Sequence, residues 1–412
     1  MAAVELNLLV ANLNKTITFK TPLDITVFDL CRHIQANVKN AGSGPEYGIF
    51  VEDPDPKHSF WLESSRLLSY YHLQDGMDVI YKSKLRRIVV STLDGTRKTL
   101  QVDDSKTIAD LMVTICGKMG ELFNLSHLWL LHLIMNILHS LTFEGITNHE
   151  EYSLIHEKGR QQTMRRPKNA PRDYDKLETL KHKLQTDDGA NWLSHAKTFR
   201  QLGIEEKDNL LLQRKYFFSD QNVGARDPVQ LNLLFIQLKE AILNGAHPIS
   251  LSQAIELAGL QCQAEMGNLI PEKVKSTSID VKEHLPKEYC KVKSVEKKIK
   301  EQYQKLNGLS EKDAKVRYIQ VCRSLPTYGI TFFLIKEKLP GKNKLVPRLF
   351  GVSKESVMRV DENTKEILQT WPLTRVRRWA ATANLFTLVC FKFSSISCFY
   401  QFSFLKQTKI II

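Results

Sequence analysis

Four lysines, Lys336, Lys338, Lys342 and Lys344, crowd a short polar stretch that runs straight into Leu345. Ammonium groups gathered on a hairpin tip guard a sheet edge against pairing. They also suit phosphate headgroups, with the apolar residue at the base free to pack on a partner helix. A second basic stretch lies between 156 and 184, with Arg160, Arg165, Arg166, Lys168 and Arg172 punctuated by Pro167 and Pro171. It reads as a solvated loop, which an anionic leaflet attracts by about 1 kcal/mol per basic residue near its surface. Lys273, Lys275, Lys291 and Lys293 bracket the string LPKEY, and Arg378-Trp379 ends a strand-like run. A charged helix face and a buried barrel tryptophan are the plain readings of those last two.

Chemistry of bond making finds no support in the sequence. There is no GxGxxG, Walker loop, HExxH or GxSxG. His195 stands near Ser194 and Asp188 only as loop neighbours. The seven cysteines include no CxxC, and no His pair has zinc spacing, so we expect reduced thiols, no metal and no cofactor. The formal charge of +13 calls for an acidic partner, either nucleic acid or an anionic membrane. Basic residues fall in separate segments and no RNP or helix-turn-helix signature occurs, which favours the membrane. The first residues, MAAVELNLLVANLNKT, lack a basic n-region and a cleavage pattern, so no signal peptide is expected.

These groups need elements to carry them. A chain of 412 residues suggests about three domains at roughly 150 residues each. Val4, Leu6 and Leu8 alternate with Glu5 and Asn7 as in a half-buried strand, and Thr16–Phe19 follows a polar turn. A helix starts near Asp24 or Thr26, with Val27, Leu30, Cys31 and Ile34 on one face. Short strands at 48–51 and 60–62 and a closing strand at 76–82 complete the order of a ubiquitin-like β-grasp. The order repeats: strands at 87–93 and 97–102 around Asp94-Gly95, a capped helix within 103–116, and a closing segment at 192–215. Trp61-Leu62 and Trp192-Leu193 precede the two closing strands alike, the mark of an internal duplication.

Beyond residue 220 the period changes. Asp227-Pro228 caps a helix carrying Leu231, Leu234, Ile236, Leu238 and Ile242 and ended by Gly245. Ser250 and Ser294 start further helices, and Ser310 with Asp313 opens one that stops at Pro326. From 329 short strands return, at 329–335, 345–351, 356–360, 366–369, 375–379 and 385–388, as in a small barrel or sandwich. Two segments fit nothing. Residues 121–145 are an apolar run, charge-free between Glu121 and Glu144, long enough to be a marginal membrane span. Residues 389–412 are aromatic and Ser-rich, with no capped helix.

Several strings occur in order: WLE and SYY (61–71), VDDSKT (102–107), ITNHEEYSL (146–154), SDQNV and RDPVQLNLL (219–234), LPKEY (285–289), AKVRY (314–318), LPGKNKLVPRL (339–349), VMRVDE (357–362) and RRWAA (377–381). Over about 1–120 and 146–388 the chain resembles the talin head, a FERM-type region. The resemblance implies an α+β multidomain fold. Its parts are a ubiquitin-like lobe (1–84), a ubiquitin-like FERM lobe (85–217), an acyl-CoA-binding-protein-like helical lobe (218–328) and an incomplete phosphotyrosine-binding, pleckstrin-like sandwich (329–388). It makes 121–145 an insertion and 389–412 a divergent tail that leaves the last lobe without its closing helix.

The resemblance also implies function. Leu345, Arg378 and Trp379 match residues that bind an integrin β cytoplasmic tail, the last two at its Asn-Pro-x-Tyr segment. The loop arginines with Lys168, the helical-lobe lysines Lys273, Lys275, Lys291 and Lys293, and the hairpin lysines match contacts to anionic phosphoinositide membrane. Pro340 stands where the family has a lysine. Lys15 and Arg32 match a site for a Rap-type small GTPase, weakened because a third arginine falls on Asn37. The implied role is a non-enzymatic adaptor at focal adhesions. It would act on the inner face of the plasma membrane and link receptors to F-actin, with no nucleic acid. The rod that would bind vinculin and most actin lies outside the sequence, so no force transmission by this chain alone is expected. A FERM adaptor without integrin binding is the alternative.

Overall fold

The computed structural model describes residues 3–120, 146, 148–157, 174–184, 186–220, 223, 227–270, 278–338, 345–381, 385–391 and 397–404. The chain divides into two compact units, Met1–Lys158 with Trp192–Leu212, and Gly159–Asn191 with Gln213–Ile412.

The first unit holds two lobes. Strands β1 (Ala3–Val10) and β2 (Lys15–Pro22) form a hairpin, helix α1 (Val27–Asn37) follows, and β3 (Tyr47–Val51), β4 (Phe60–Trp61) and β5 (Asp78–Ser83) complete the sheet β2-β1-β5-β3-β4. The alternation read at 4–8 is real: Val4, Leu6, Leu8 and Val10 are all buried, against Val27, Leu30, Cys31 and Ile34 of α1. Of the two possible caps Thr26 is the one used, its hydroxyl accepting from Asp29 N at 3.1 Å. The second lobe repeats the plan with β6 (Leu85–Ser91), β7 (Arg97–Asp103), α2 (Ile108–Gly120) and β8 (Tyr152–His156). Helix α2 begins at Ile108, not 103, because Thr107 and Asp110 cap it reciprocally, at 3.3 and 3.2 Å. After α3 (Tyr174–Leu184), which belongs to the second unit, β9 (Asn209–Arg214) closes the sheet β7-β6-β9-β8.

The duplication extends to single hydrogen bonds. Leu62 N donates to Ile49 O of β3 and Leu193 N donates to Leu154 O of β8, both at 2.9 Å. Each Trp-Leu step thus docks on the equivalent strand, with Phe50 opposite Trp61 and Ile155 opposite Trp192.

In the second unit, α4 (Pro228–Leu243), α5 (Leu251–Met266), the short α6 (Val281–His284), α7 (Val295–Lys305) and α8 (Glu311–Arg323) share one core. The caps foreseen at Asp227, Ser250 and Ser310 are made by their side chains. Ser294 precedes α7 without a side-chain cap, in the left-handed region at φ +60°. Short α6 was not foreseen; Asp280 caps it, accepting from Lys282 N at 2.9 Å.

Seven strands follow: β10 (Thr331–Lys338), β11 (Leu345–Val352), β12 (Ser356–Val360), β13 (Ile367–Pro372), β14 (Val376–Ala381), β15 (Leu385–Phe391) and β16 (Ser397–Phe404). They form one antiparallel sheet in the order β13-β12-β11-β10-β16-β15-β14. This corrects the expectation of a lobe ending at 388. Strand β15 runs on to Phe391, and β16, from the divergent tail, pairs with β15 and joins the sheet to β10 at Ile335 and Lys336. One face carries Phe333, Ile335, Phe350, Val357, Trp371 and Leu388. The other carries Phe332, Leu334, Leu349, Met358 and Val360, with Leu180 and Leu184 of α3 packed against it.

The insertion 121–145 lies outside the described residues. Among these, no helix is long and apolar enough to cross a membrane.

Candidate functional site

The outer strand β14 carries the candidate site. Residues 377–380, Arg377 to Ala380, are all exposed, and Trp379 keeps 50% of its surface open. The plain alternative of a buried barrel tryptophan does not describe Trp379; that role belongs to Trp371, which is 5% exposed within the core. Trp379 lies directly opposite Leu388 of β15, and Arg378 opposite Val389, with an irregularity in register between Val376 and Arg378. Directly opposed residues share a face. Leu388 therefore dips into the core while the indole beside it stands at the core's rim. The arrangement gives an apolar wall next to a strand at the end of the sheet order. An extended peptide recognises such an edge by main-chain pairing and by side-chain pockets.

The lysine hairpin is partly described. Lys336 is half-buried on β10 and lies opposite Pro347, and Lys338 ends the strand opposite Leu345, the first residue of β11. Lys342, Lys344 and Pro340 fall outside the described residues. Sequence reasoning missed the ion network beside them. Arg348 of β11 lies 3.3 Å from Asp361, 3.8 Å from Glu337 and in contact with Glu362, and Arg359 of β12 bonds Glu337 at 2.9 Å. Only the ladder β10-β11-β12 brings these residues together; VMRVDE alone shows isolated charges.

Lys291 and Lys293 are exposed between α6 and α7, as expected, and exposed Lys297 and Lys298 of α7 continue the basic surface. Lys273 and Lys275 lie outside the described residues, as do Arg160, Arg165, Arg166 and Lys168. On the first lobe Lys15 opens the outer strand β2 and Arg32 sits on α1, both exposed. Asn37, exposed at the end of the helix, donates to His33 O at 2.8 Å. His195 Nε2 meets the hydroxyl of buried Ser153 at 2.9 Å, not Ser194.

A polar hub that no sequence pattern signalled joins the first two lobes. The carboxylate of Asp104, nearly fully buried, accepts from Arg86 at 2.9 Å, from Arg200 at 2.6 and 3.0 Å, and from Trp61 Nε1 at 3.1 Å. Arg200 and Lys82 stand over the Phe50 ring at 4.6 and 3.7 Å. Burial, and then the Arg200 charge, lowers the Lys82 pKa from its ordinary value.

The pattern of the N-terminal or F0 domain of talin-head FERM matches residues 3–83, that of the FERM central domain 220–333, and that of the PTB domain (IRS-1 type) 333–394. Talin-2 of Mus musculus is 46% identical over 396 residues, which is 94% of this chain and 16% of that protein. The chain carries a talin-head FERM region. Talin-1 of Gallus gallus is 45% identical, over 94% of this chain and 14% of its own length. The chain thus spans about one-sixth of the curated talins it matches. Among solved structures, the FERM and C-terminal domain complex of Drosophila Merlin superposes with a TM-score of 0.53 at 17% identity, covering 77% of this chain and 89% of that one. The MyTH4-FERM MF2 domain of Dictyostelium discoideum Myosin VII gives 0.53 at 14% identity, covering 77% and 57%. These two likenesses concern the fold alone. For the talin-head region, the PTB match spans β14 and its neighbour β15, the strands that carry the exposed tryptophan.

Proposed function

We propose that this talin-head region is a cytoskeletal adaptor module that couples an integrin β cytoplasmic tail to anionic, phosphoinositide-bearing membrane. The observation that carries the reading is Trp379, half-exposed on an outer strand beside Arg378 in a PTB-type lobe. In this reading the Asn-Pro-x-Tyr segment of the tail adds to the β14 edge and its side chains meet the indole and the Arg378 guanidinium. A membrane-proximal helix of the tail packs on Leu345.

Lys336, Lys338, Lys342 and Lys344 then meet headgroups beside the tail, while Lys291, Lys293, Lys273 and Lys275 orient the helical lobe. Arg160, Arg165, Arg166 and Lys168 supply a further basic contact. Binding energy, not bond chemistry, does the work: several weak contacts on one surface multiply into avidity. Lys15 and Arg32 form a surface for a Rap-type small GTPase. The module acts at the inner face of the plasma membrane in adhesions, with F-actin as a further partner of the assembly.

Titration of an Asn-Pro-x-Tyr tail peptide by calorimetry tests the reading. Binding that is lost in Trp379→Ala is expected. Tail binding that ignores Trp379 and Arg378 would leave a FERM adaptor working without integrin.

A further inference from the structure

The hairpin between β12 and β13 carries a lysine whose side chain leaves its own lobe. Lys365 is 8% exposed. Its ammonium donates to Ala246 O at 2.6 Å and to Gly245 O at 3.1 Å, in the helical lobe of the same unit. Among the described residues no carboxylate stands within ion-pair distance of it.

The two carbonyls belong to the turn that ends α4. Gly245 sits in the left-handed region at φ +71°, where a side chain would be strained, and donates to Ile242 O at 3.0 Å; Ala246 N donates to Ala241 O at 2.8 Å. Carbonyls at a helix C-terminus carry the negative end of its dipole and suit a cation. The donor is preset as well. Lys365 adopts φ +57°, uncommon for a residue with a side chain. Asp361 holds the tip in that shape: its carboxylate accepts from Asn363 N at 2.9 Å and Thr364 N at 3.0 Å, and its carbonyl accepts from Lys365 N at 3.0 Å. Arg348 clamps Asp361 and Glu362 from the neighbouring strand.

We propose that Lys365 is a latch between the barrel lobe and the helical lobe, fixing the β14 edge relative to Lys291 and Lys293 so that tail and membrane engage one rigid surface. A buried ammonium without a counter-ion is a costly way to hold two lobes together, since an apolar contact needs no desolvation of charge. What it adds is direction: two carbonyls accept it in one orientation only. A loose joint would lower the effective concentration of the second contact once the first has formed. The rigid-surface half rests on the function proposed above; the latch itself does not.

The test uses the full chain with Lys365→Met, which keeps the packed stem and removes the N–H donors, and Lys365→Arg, which keeps a cation. Hydrogen exchange followed by mass spectrometry should show roughly tenfold faster exchange in Lys365→Met, the equivalent of about 1.4 kcal/mol, both in peptides spanning 244–249 and in those spanning 361–366. Lys365→Arg should stay nearer the parent. Faster exchange confined to 361–366 would overturn the latch, because the lysine would then shape only its own turn.

The second arm measures the tail peptide free in solution and tethered to vesicles of phosphatidylcholine with phosphatidylserine. Lys365→Met should leave the free-peptide affinity unchanged and weaken tethered binding about tenfold. Equal loss in both formats, or none in either, would overturn the rigid-surface half. Failure of the tail reading shows separately, as parent protein that does not bind the free peptide at all.

Discussion

The two outer strands of the seven-stranded sheet each carry a tryptophan, and the two are treated in opposite ways. On β13, Trp371 is buried among Phe333, Phe350, Val357 and Leu388, and the hairpin leading to it is seated on the helical lobe through Lys365. On β14, Arg377 to Ala380 are exposed in succession. Neighbouring side chains of a strand point to opposite faces, so both faces of β14 are open over that stretch. One end of the sheet spends its apolar surface on stability. The other holds it at the rim, next to buried Leu388, where a partner can cover it.

The sharpest way to break this contrast is to truncate each tryptophan in turn. Trp371→Ala should cost about 3–5 kcal/mol, the range for removing a large buried aromatic. Trp379→Ala should stay within about 0.5 kcal/mol of the parent, as expected of an exposed site. Denaturant unfolding of the two variants decides it. Equal losses would mean that the β14 end is core, and the binding reading would lose its basis.

The next effect tests how firmly the β13 end is seated. His247 lies beside the latch, its Nδ1 2.9 Å from the Thr327 hydroxyl. Burial first, and the Lys365 charge second, push its pKa down to about 4 from 6.5. Above pH 6.5 the imidazole is neutral in both folded and unfolded chains and has no effect. Between 6.5 and 4 the unfolded chain takes up a proton that the folded chain refuses, so stability falls as the pH falls. The full loss is about 3 kcal/mol. Lys365 adds the same sign at higher pH: burial holds its pKa at about 8, so stability rises between 8 and its ordinary 10.5. Comparing the parent with His247→Asn at pH 7 and pH 4.5 isolates the first contribution. Parallel curves would show that the histidine is not held neutral by the fold.

Much of this architecture was legible because it is local. Asp227-Pro228, Ser250 with Gln253 and Ser310 with Asp313 are caps complete within four residues. The Trp-Leu repeat gave the duplicated lobes because each copy makes the same bond to a nearby strand. The failures are long-range or patternless. In the sequence of β16, SCFYQFSF, aromatic and polar residues do not alternate strictly, so no period of two marks it as a strand. No local pattern marks Lys365, because its partners are 119 and 120 residues away. Asp104 and the Arg348 cluster are likewise assembled only by folding. Of the candidate site, Arg378, Trp379, Lys291 and Lys293 were singled out from matching strings, and all four are exposed.

At the open end, Trp379→Ala should weaken a soluble tail peptide by about 2 kcal/mol, roughly thirtyfold, as a half-exposed aromatic that becomes covered on binding would. Phe in its place should recover part of the loss, since the edge pairing depends on backbone. A variant that loses nothing would move the tail off β14.

The smallest effect comes from single lysines of the helical lobe, and here pairing decides which of them count. Lys300 bonds Glu296 at 2.9 Å and Lys297 lies 3.9 Å from Glu301, so part of their charge is already answered along α7. Lys291 and Lys293 are exposed, and among the described residues no carboxylate lies within ion-pair distance of either. Each should contribute about 1 kcal/mol to binding of phosphatidylserine vesicles. Lys293→Gln should therefore weaken co-sedimentation about fivefold at low salt, and Lys300→Gln should do less because half-buried Lys300 presents less of its charge to the leaflet than exposed Lys293. Both differences should shrink as salt brings the Debye length down to about 8 Å near 0.15 M. Neither change should touch the free-peptide affinity, since these lysines lie outside the barrel lobe. Equal losses for Lys293→Gln and Lys300→Gln would show that only total charge matters, and that no particular face of the helical lobe meets the membrane.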